Sequence, residues 1–258
     1  MFQVQDLTTG YHTKHGLHIV SEHITATLQA GELTCLLGPN GAGKSTLLRT
    51  LAAFQPPLAG QILLDDMPMQ VFPASELAKR VGVVLTERPD IKSMTVREMV
   101  AMGRSPYTDF WGRLKDDDIT AVNNAVELVG IQTLEQRQVD TLSDGERQKV
   151  MIAKALAQQT PVILLDEPTA FLDFPSKVEM LLLLRRLARE MQKTVFLSTH
   201  DIELALQTAD RLWLMGQNCG PLVIGTPSQL AADGSLSRFF SGPGITFDVH
   251  AMRFHVNT

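Results

Sequence analysis

One stretch of the chain has the residue types and spacing of a phosphate-binding loop. Its residues are Gly38, Pro39, Asn40, Gly41, Ala42, Gly43, Lys44, Ser45 and Thr46. Glycines permit backbone turns that a Cβ would prevent, so successive N–H groups can converge on phosphate oxygens at a helix N-terminus. Lys44 would supply a mobile cation for the β- and γ-phosphates, and the Ser45 hydroxyl would ligate Mg²⁺. An apolar strand pattern precedes the loop and a helical pattern follows it, so the sequence predicts a nucleotide site.

Two adjacent carboxylates follow a second pattern typical of a buried strand. The apolar run that begins at Pro161 ends in Asp166 and Glu167, and α/β sheets bind ligands at the carboxyl ends of their strands. We expect Asp166 to hold the Mg²⁺ shell, directly or through water. Glu167 would orient or deprotonate the water that attacks the γ-phosphate. The two acids could instead cap the next helix, but beside a phosphate-binding loop we favour hydrolysis of ATP with Mg²⁺.

Apolar runs of strand length alternate with helical periodicity along the chain. The predicted strands are Leu33–Leu37, Val81–Leu85, Val162–Leu165, Val195–Leu197 and Leu212–Met215. The predicted helices between them are Lys44–Phe54, Asp144–Gln158, Ser176–Gln192 and Ile202–Ala209. This alternation indicates a mainly parallel α/β sheet. Alternating apolar residues in the first 30 positions favour a small antiparallel sheet there.

The strand signal disappears between about Pro89 and Val139, where Val96–Met102 and Ile119–Val129 have helical patterns. We therefore predict one nucleotide-binding domain, 1–258, with an inserted helical subdomain at 89–154. Its ATP-binding core would consist of 1–88 and 155–258. The last segment, 239–258, is a weakly patterned tail.

The composition of the chain favours some classes of protein and argues against others. With 258 residues, 44% hydrophobic and 20% charged, the chain has the composition of a globular protein. It lacks the roughly 18 uninterrupted apolar residues of a membrane span and the pattern of a secretory signal. Two cysteines, one of them in an apolar run, favour a reducing cytosol over a disulfide framework. The net charge of −5 removes the simplest argument for a nucleic-acid partner, and none is expected.

Further motifs, in a fixed order, give the chain a family resemblance that spans nearly its whole length. It resembles the ATP-binding subunit of an ABC transporter. The motifs are Gly10-Tyr11, Leu142–Gln148 (similar to the family's signature), Phe171-Leu172-Asp173 (its D-loop) and Ser198-Thr199-His200 (its switch histidine). The resemblance implies a RecA-like, mainly parallel sheet, a small N-terminal antiparallel β subdomain and an inserted α-helical subdomain. It also implies that Tyr11 stacks on adenine, that His200 contacts the γ-phosphate and that Asp173 links two sites.

The resemblance further implies a head-to-tail homodimer. Each ATP would lie between Lys44 of one chain and Ser143 and Gly145 of the other, because the N–H groups that begin the signature helix form a second anion site. Polytopic permease subunits at the cytoplasmic side of the inner membrane would be partners. An extracytoplasmic substrate-binding protein would act with them.

The chain departs from the family pattern at two places. The usual signature is Leu-Ser-Gly-Gly-Gln, whereas this chain has Asp144 and Glu146. Either both acids face solvent and favour the helix N-terminus, or they weaken the closure driven by ATP. The family also has a glutamine that senses Mg²⁺ after the strand at Val81. Thr86 takes that position without a gap, while Glu87 could reach inward as a metal ligand; both alternatives stay open.

The segment Val96–Tyr107, followed by Phe110–Leu114, resembles importer subunits for iron complexes, siderophores, haem or cobalamin. Tyr107, Phe110 and Trp111 could form an exposed patch for the permease or close the core of the helical subdomain. The predicted function is an ATP hydrolase that powers import of an iron chelate, haem or cobalamin. Alternatives are a soluble ABC-type ATPase acting on nucleic acid or ribosomes, and the ATPase of an ABC exporter. No Asn-Lys-x-Asp motif is present to bind guanine.

Overall fold

A computed structural model describes residues 1–14, 16–86, 93–217, 220 and 222–256. The chain divides into two compact units. The first unit consists of Met1–Met69 and Leu184–Thr258, and the second of Gln70–Leu183. The predicted division of the domain at 89 and 154 stays a prediction.

The described residues form strands and helices along the whole chain. The strands are β1 (Phe2–Thr13), β2 (Gly16–Leu28), β3 (Leu33–Leu37), β4 (Ala59–Leu64), β5 (Met67–Pro68), β6 (Val81–Val84), β7 (Val162–Asp166), β8 (Thr194–Ser198), β9 (Arg211–Met215), β10 (Leu222–Gly225), β11 (Ile245–Asp248) and β12 (Arg253–Val256). The helices are α1 (Lys44–Leu51), α2 (Ala74–Leu77), α3 (Val96–Ala101), α4 (Asp116–Val129), α5 (Asp144–Ala157), α6 (Phe174–Met191), α7 (Ile202–Thr208), α8 (Pro227–Ala232) and α9 (Ser235–Phe240). Among the described residues, no helix has the length and apolar composition needed to cross a membrane.

The first unit contains the predicted N-terminal antiparallel sheet, in the order β2-β1-β4-β5. Apolar side chains that alternate along β1, such as Phe2 and Val4, are buried, as expected for a strand with one face on the core. In the same unit β3 pairs in parallel with both β8 and β9, and β10 adds antiparallel to β9. Every residue of β3 is buried, which is typical of a parallel strand covered on both faces.

The second unit combines the parallel pair β6 and β7 with the helices α3, α4 and α5. A buried arginine fixes the C-terminal end of α5. Arg104 Nε donates to Asp118 Oδ1 at 2.8 Å, and its Nη1 donates to the carbonyl of Ala157 at 2.8 Å. The guanidinium lies 3.9 Å from the ring centre of Tyr107, whose hydroxyl donates to the carbonyl of Gln158 at 3.0 Å. Arg104 and Tyr107 therefore hold the end of the helix that carries the signature at its start.

Tyr107, Phe110 and Trp111 were predicted either to form an exposed patch or to close the core of the helical subdomain. The structure shows that they do not all have the same role. Tyr107 belongs to the packing of the helical region. Phe110 and Trp111 are 94% and 76% exposed, and their rings meet edge to face at 5.5 Å. The exposed aromatic patch thus consists of two residues and not three.

Every strand and helix predicted from the sequence is present, with ends displaced by at most three residues. The predicted tail is more ordered than its pattern indicated, because β11 and β12 form an antiparallel hairpin. The rings of Phe247 and Phe254 lie 4.8 Å apart across it. Cys35 is buried in β3, where burial raises the pKa of its thiol, and Cys219 lies outside the described residues.

Candidate functional site

The backbone of the phosphate loop requires glycine at two positions. A Cβ at Gly38 would lie 2.5 Å from the carbonyl oxygen of Met215. Gly43 has φ +97°, and a Cβ there would lie 1.9 Å from Cγ1 of Val20. A side chain at either position would collide with packed neighbours, so the loop has this shape only because glycine occupies both.

Lys44 is the first residue of α1, and only 6% of it is exposed. Its Nζ donates to the carbonyl oxygens of Gly38 at 2.8 Å and Pro39 at 3.2 Å. The ammonium therefore points back over the loop that precedes its own helix. Gly43, the residue that caps α1, has no side chain with which to close the first turn, so that turn has the form of an anion-binding helix start.

His200 lies at the same end of the sheet as the phosphate loop. β8 runs parallel to β3 with Ser198 opposite Leu36, and the Thr199 N–H donates to the Leu36 carbonyl at 3.1 Å. His200 follows and is exposed. Parallel strands therefore deliver the predicted switch histidine and the predicted loop to one edge of the first unit.

Tyr11 is in the β1–β2 hairpin of the first unit. It is 48% exposed, and its ring lies 5.0 Å from that of His18, its partner in the hairpin register. A flat, accessible aromatic side chain of this kind can stack on a base.

The adjacent carboxylates lie in the second unit, at the end of a fully buried strand. Asp166, the last residue of β7, is only 5% exposed. Glu167 follows with φ +49°, a left-handed conformation that costs a residue with a Cβ on the order of 1 kcal/mol. Strain of this kind is concentrated at functional sites in proteins.

Thr86 lies beside this pair, because β6 and β7 are parallel neighbours. Its hydroxyl donates to the carbonyl oxygen of Asp166 at 2.9 Å. Thr86, one of the two candidates for the family's glutamine position, thus contacts the backbone of the predicted metal-binding acid. The other candidate, Glu87, lies outside the described residues.

The signature helix α5 begins with a complete capping box. The Ser143 hydroxyl accepts from the Glu146 N–H at 3.3 Å, while Glu146 Oε2 accepts from the Ser143 N–H at 2.8 Å and its hydroxyl at 2.9 Å. A guanidinium N–H of Arg137 donates to Glu146 Oε1 at 3.0 Å. The Ser143 backbone N–H, then its hydroxyl and the Arg137 charge, lower the pKa of Glu146. Both carboxylate oxygens of Glu146 therefore accept hydrogen bonds. Asp144 lies at an exposed position.

The signature helix also contacts the D-loop within the second unit. A Cβ at Gly145 would lie 3.2 Å from Cδ2 of the buried Leu172, so glycine allows the two segments to pack closely. Asp173 is exposed and begins α6 by accepting from the Ser176 N–H at 3.1 Å. Hydrogen bonds from the Ser176 side chain and N–H lower the pKa of Asp173.

The predicted site residues fall into two groups. The first unit holds the phosphate loop, Tyr11 and His200, and the second holds the two carboxylates, Ser143, Gly145 and Asp173. Arg137, which pairs with Glu146, was not predicted from the sequence. The signal for it is Glu146 itself, because an acid so near a proposed phosphate site needs a compensating cation.

Comparison with known proteins agrees with this set of motifs. The sequence profile described as ABC transporter matches residues 21–170, more than half of the 258-residue chain. The chain belongs to the ABC transporter family. An ABC transporter ATP-binding protein of Methanocaldococcus jannaschii is 44% identical over 215 residues, 83% of this chain and 73% of the relative. The ferric enterobactin transport ATP-binding protein of Escherichia coli is 37% identical over 237 residues, 92% and 85% of the two chains.

Solved structures confirm the predicted fold class. A dimeric structure of a bacterial ABC transporter cassette matches with a TM-score of 0.74 at 26% identity, covering 84% of this chain and 94% of that one. The RecA-like architecture with a small antiparallel sheet is thus the fold of an ABC ATPase. The protein is an ABC-type ATP hydrolase.

Proposed function

We propose that this ATPase powers the import of an iron chelate, haem or cobalamin through a separate membrane permease. The observation that carries the proposal is the 37% identity to the ferric enterobactin transport ATP-binding protein over 92% of this chain. The chain would work at the cytoplasmic face of the cell membrane, with an extracytoplasmic binding protein that delivers the cargo. Its exposed Phe110 and Trp111 are aromatic side chains available for contact with the permease.

The chemistry is assigned to residues of both units. The backbone N–H groups of the loop 38–46, except at Pro39, and the Lys44 ammonium bind the phosphates. Glu167 orients or deprotonates the attacking water, and His200 contacts the γ-phosphate. Tyr11 stacks on the adenine.

The donors also suit Mg²⁺, which prefers oxygen ligands. The Ser45 hydroxyl and the buried carboxylate of Asp166 would hold the ion, with Glu87 as a further candidate ligand. When bound, Mg²⁺ neutralises the negative charge that develops on the phosphates.

We propose that the complete site needs two copies of the chain. ATP would lie between Lys44 of one subunit and Ser143 and Gly145 of the partner subunit. Around Asp173, the side chains of Phe171 and Phe174 are each 67% exposed, and exposed apolar groups of this size are typical of a surface that another protein covers. Binding of ATP would close the dimer, and repulsion between the products would open it again.

The two-chain site is tested by mixing two inactive variants. Ser143→Arg damages the signature and Lys44→Ala damages the phosphate loop, so their heterodimer has one doubly damaged and one intact site. We expect measurable ATP hydrolysis from the mixture and almost none from either variant alone. Equal inactivity of the mixture, with heterodimer formation confirmed by two affinity tags, would contradict the arrangement.

The role of Glu167 is tested by comparing two substitutions. Glu167→Gln should lower turnover by about 10² to 10⁴ while ATP still binds, because only general-base assistance is lost. Glu167→Gly should lower turnover equally but stabilise the fold by up to about 1 kcal/mol, because glycine tolerates the positive φ. Turnover assays and urea unfolding measure both effects, and unchanged turnover would remove Glu167 from the role.

Transport is tested by recovery of the tagged chain from solubilised membranes. Copurification of a polytopic protein, followed by loss of growth on chelated iron when the chain is deleted, would support the proposal. Copurification of ribosomes or nucleic acid would instead favour an ATPase of the translation or DNA-repair type.

A further inference from the structure

The signature helix α5 has negative charge at the point where the partner's γ-phosphate is proposed to bind. Asp144 and Glu146 both lie in its first turn. A helix start attracts anions through its N–H groups and dipole, but like charges about 6 Å apart repel one another, more strongly where water is excluded. An acidic signature therefore needs a compensating positive charge if it is to accept a phosphate.

Arg137 provides that charge. One guanidinium nitrogen donates to Glu146 Oε1 at 3.0 Å, and the other donates to the carbonyl oxygen of Thr141 at 2.9 Å. The two side chains of the ion pair are 43% and 31% exposed. Arg137 thus binds the carboxylate and, at the same time, the backbone two residues before the cap residue Ser143.

The backbone of Arg137 is itself held in place. Its N–H donates to the Leu134 carbonyl at 2.8 Å, and its carbonyl accepts from the Val96 N–H at 3.0 Å. The next residue, Gln138, forms a β-bridge with Thr95. The guanidinium therefore reaches the signature from a fixed point at the start of α3.

Both oxygens of Glu146 are engaged as a result. Oε2 accepts the two hydrogen bonds from Ser143, and Oε1 accepts from Arg137. Loss of Arg137 would leave the capping box with one fewer contact and an uncompensated negative charge.

We propose that Arg137 is a positioning residue of the ATP site. It neutralises Glu146 and holds it in the capping box, so that the start of α5 can accept the γ-phosphate bound by the partner subunit. This inference rests on the proposed two-chain site.

The test measures the ATP concentration that drives dimerisation in the Glu167→Gln background, by light scattering of the purified chain. Arg137→Ala should raise that concentration by up to about fivefold, the order expected for loss of one partly exposed charge interaction. Arg137→Lys should recover most of the loss, because the charge is kept. The difference in this ATP concentration between Arg137→Ala and its parent should decrease at high salt, because salt screens exposed charges.

The double variant Arg137→Ala with Glu146→Gln separates charge from structure. Glutamine still completes a capping box, so removal of the acid should restore the ATP response to within about twofold of Glu146→Gln alone. A merely structural Arg137 would leave the double variant as impaired as the single one. Thermal unfolding of each variant establishes that the protein is folded.

Arg211→Ala is a matched control. It removes one arginine from an ion pair with Glu32, at 2.9 Å and with 36% of the arginine side chain exposed, and it should leave the ATP response unchanged. An unchanged response in Arg137→Ala, or a double variant without recovery, refutes the inference alone. Absence of any dimerisation by ATP in the Glu167→Gln parent overturns the proposed two-chain site and the inference together.

Discussion

Two helices of this protein begin where a phosphate is proposed to bind, and their beginnings are built in opposite ways. α1 follows Gly43, which has φ +97° and no side chain to cap the first turn. α5 follows Ser143, which exchanges hydrogen bonds with the side chain and N–H of Glu146. The start of α1 leaves its backbone N–H groups to an anion that binds from outside. At the start of α5, the Glu146 carboxylate is an anion that belongs to the helix itself.

The cations beside the two helix starts also differ in the groups to which they donate hydrogen bonds. Lys44 donates to the carbonyl oxygens of Gly38 and Pro39, whereas Arg137 donates to the Glu146 carboxylate. A phosphate that arrives at α1 would meet a lysine that donates to two uncharged carbonyl oxygens. At α5 it would compete with a formal negative charge, so we expect α1 to contribute most of the ATP affinity and α5 to tune it.

The largest expected effect is at the cation of α1. Lys44→Ala should weaken ATP binding by at least about 100-fold, because it removes a charge-assisted donor from a largely buried position. Arg137→Ala, at the other helix start, should weaken ATP binding by about fivefold at most. Titration with a fluorescent ATP analogue measures both, and comparable losses would contradict the contrast between the two starts.

The second-largest expected effect concerns the backbone at the start of α1. Gly43→Ala should abolish ATP binding and destabilise the chain by about 1–3 kcal/mol, since the new Cβ would overlap Val20. Gly112→Ala is the control, because Gly112 also has a positive φ, +68°, but no atom lies within 4 Å of its Cβ position. The control should show only the conformational cost of about 1 kcal/mol, as measured by urea unfolding. A Gly43→Ala protein that binds ATP normally would show that the loop can adopt another shape.

The two helix starts also differ in how far the sequence alone predicts them. The phosphate loop is local, because its glycines, lysine and flanking strand are consecutive. The capping boxes of Ser143 with Glu146 and of Thr95 with Glu98 are local too, as each has the Ser/Thr-x-x-Glu spacing. Arg137 could not be assigned from spacing, because its reach to Glu146 depends on where the loop before the signature is held by α3.

The same distinction applies to the fold. The fully buried strands β3 and β7 were predicted because a continuous apolar run of this length is typical of a parallel strand covered on both faces. The hairpin of β11 and β12 was not, because its strands are short and half exposed and its pairing depends on the aromatic contact of Phe247 with Phe254. Here a weak pattern becomes structure through the pairing of two neighbouring short strands and the contact of their aromatic side chains.

A third prediction separates the role of Ser143 in capping α5 from its proposed role in binding ATP. Ser143→Ala and Thr95→Ala each remove the hydroxyl of a complete capping box, so each should lower the free energy of unfolding by about 1 kcal/mol. Only Ser143→Ala should also weaken the dimerisation driven by ATP. Urea unfolding and light scattering provide the two measurements. Equal effects of the two variants on dimerisation would mean that α5 contributes through stability alone.

The smallest expected effect concerns the pH dependence of the two capping boxes. The pKa of Glu146 and that of Glu98 are both lowered from the ordinary value of 4.5, first by the N–H of the cap residue. A carboxyl group whose folded-state pKa is lowered stabilises the protein above its unfolded pKa, and the stabilisation is lost as pH falls through the folded-state pKa. The stability difference between the parent and Glu146→Gln should therefore be fully present at neutral pH, begin to fall near the unfolded pKa of a glutamate, about 4.3, and vanish below the lowered folded-state pKa. Glu98→Gln should show the same trend with a smaller difference, since the lowered pKa of Glu146 also has a contribution from Arg137. If urea unfolding from pH 3 to 7 gave identical curves for the two variants, Arg137 would contribute nothing to holding the acid of the signature in place.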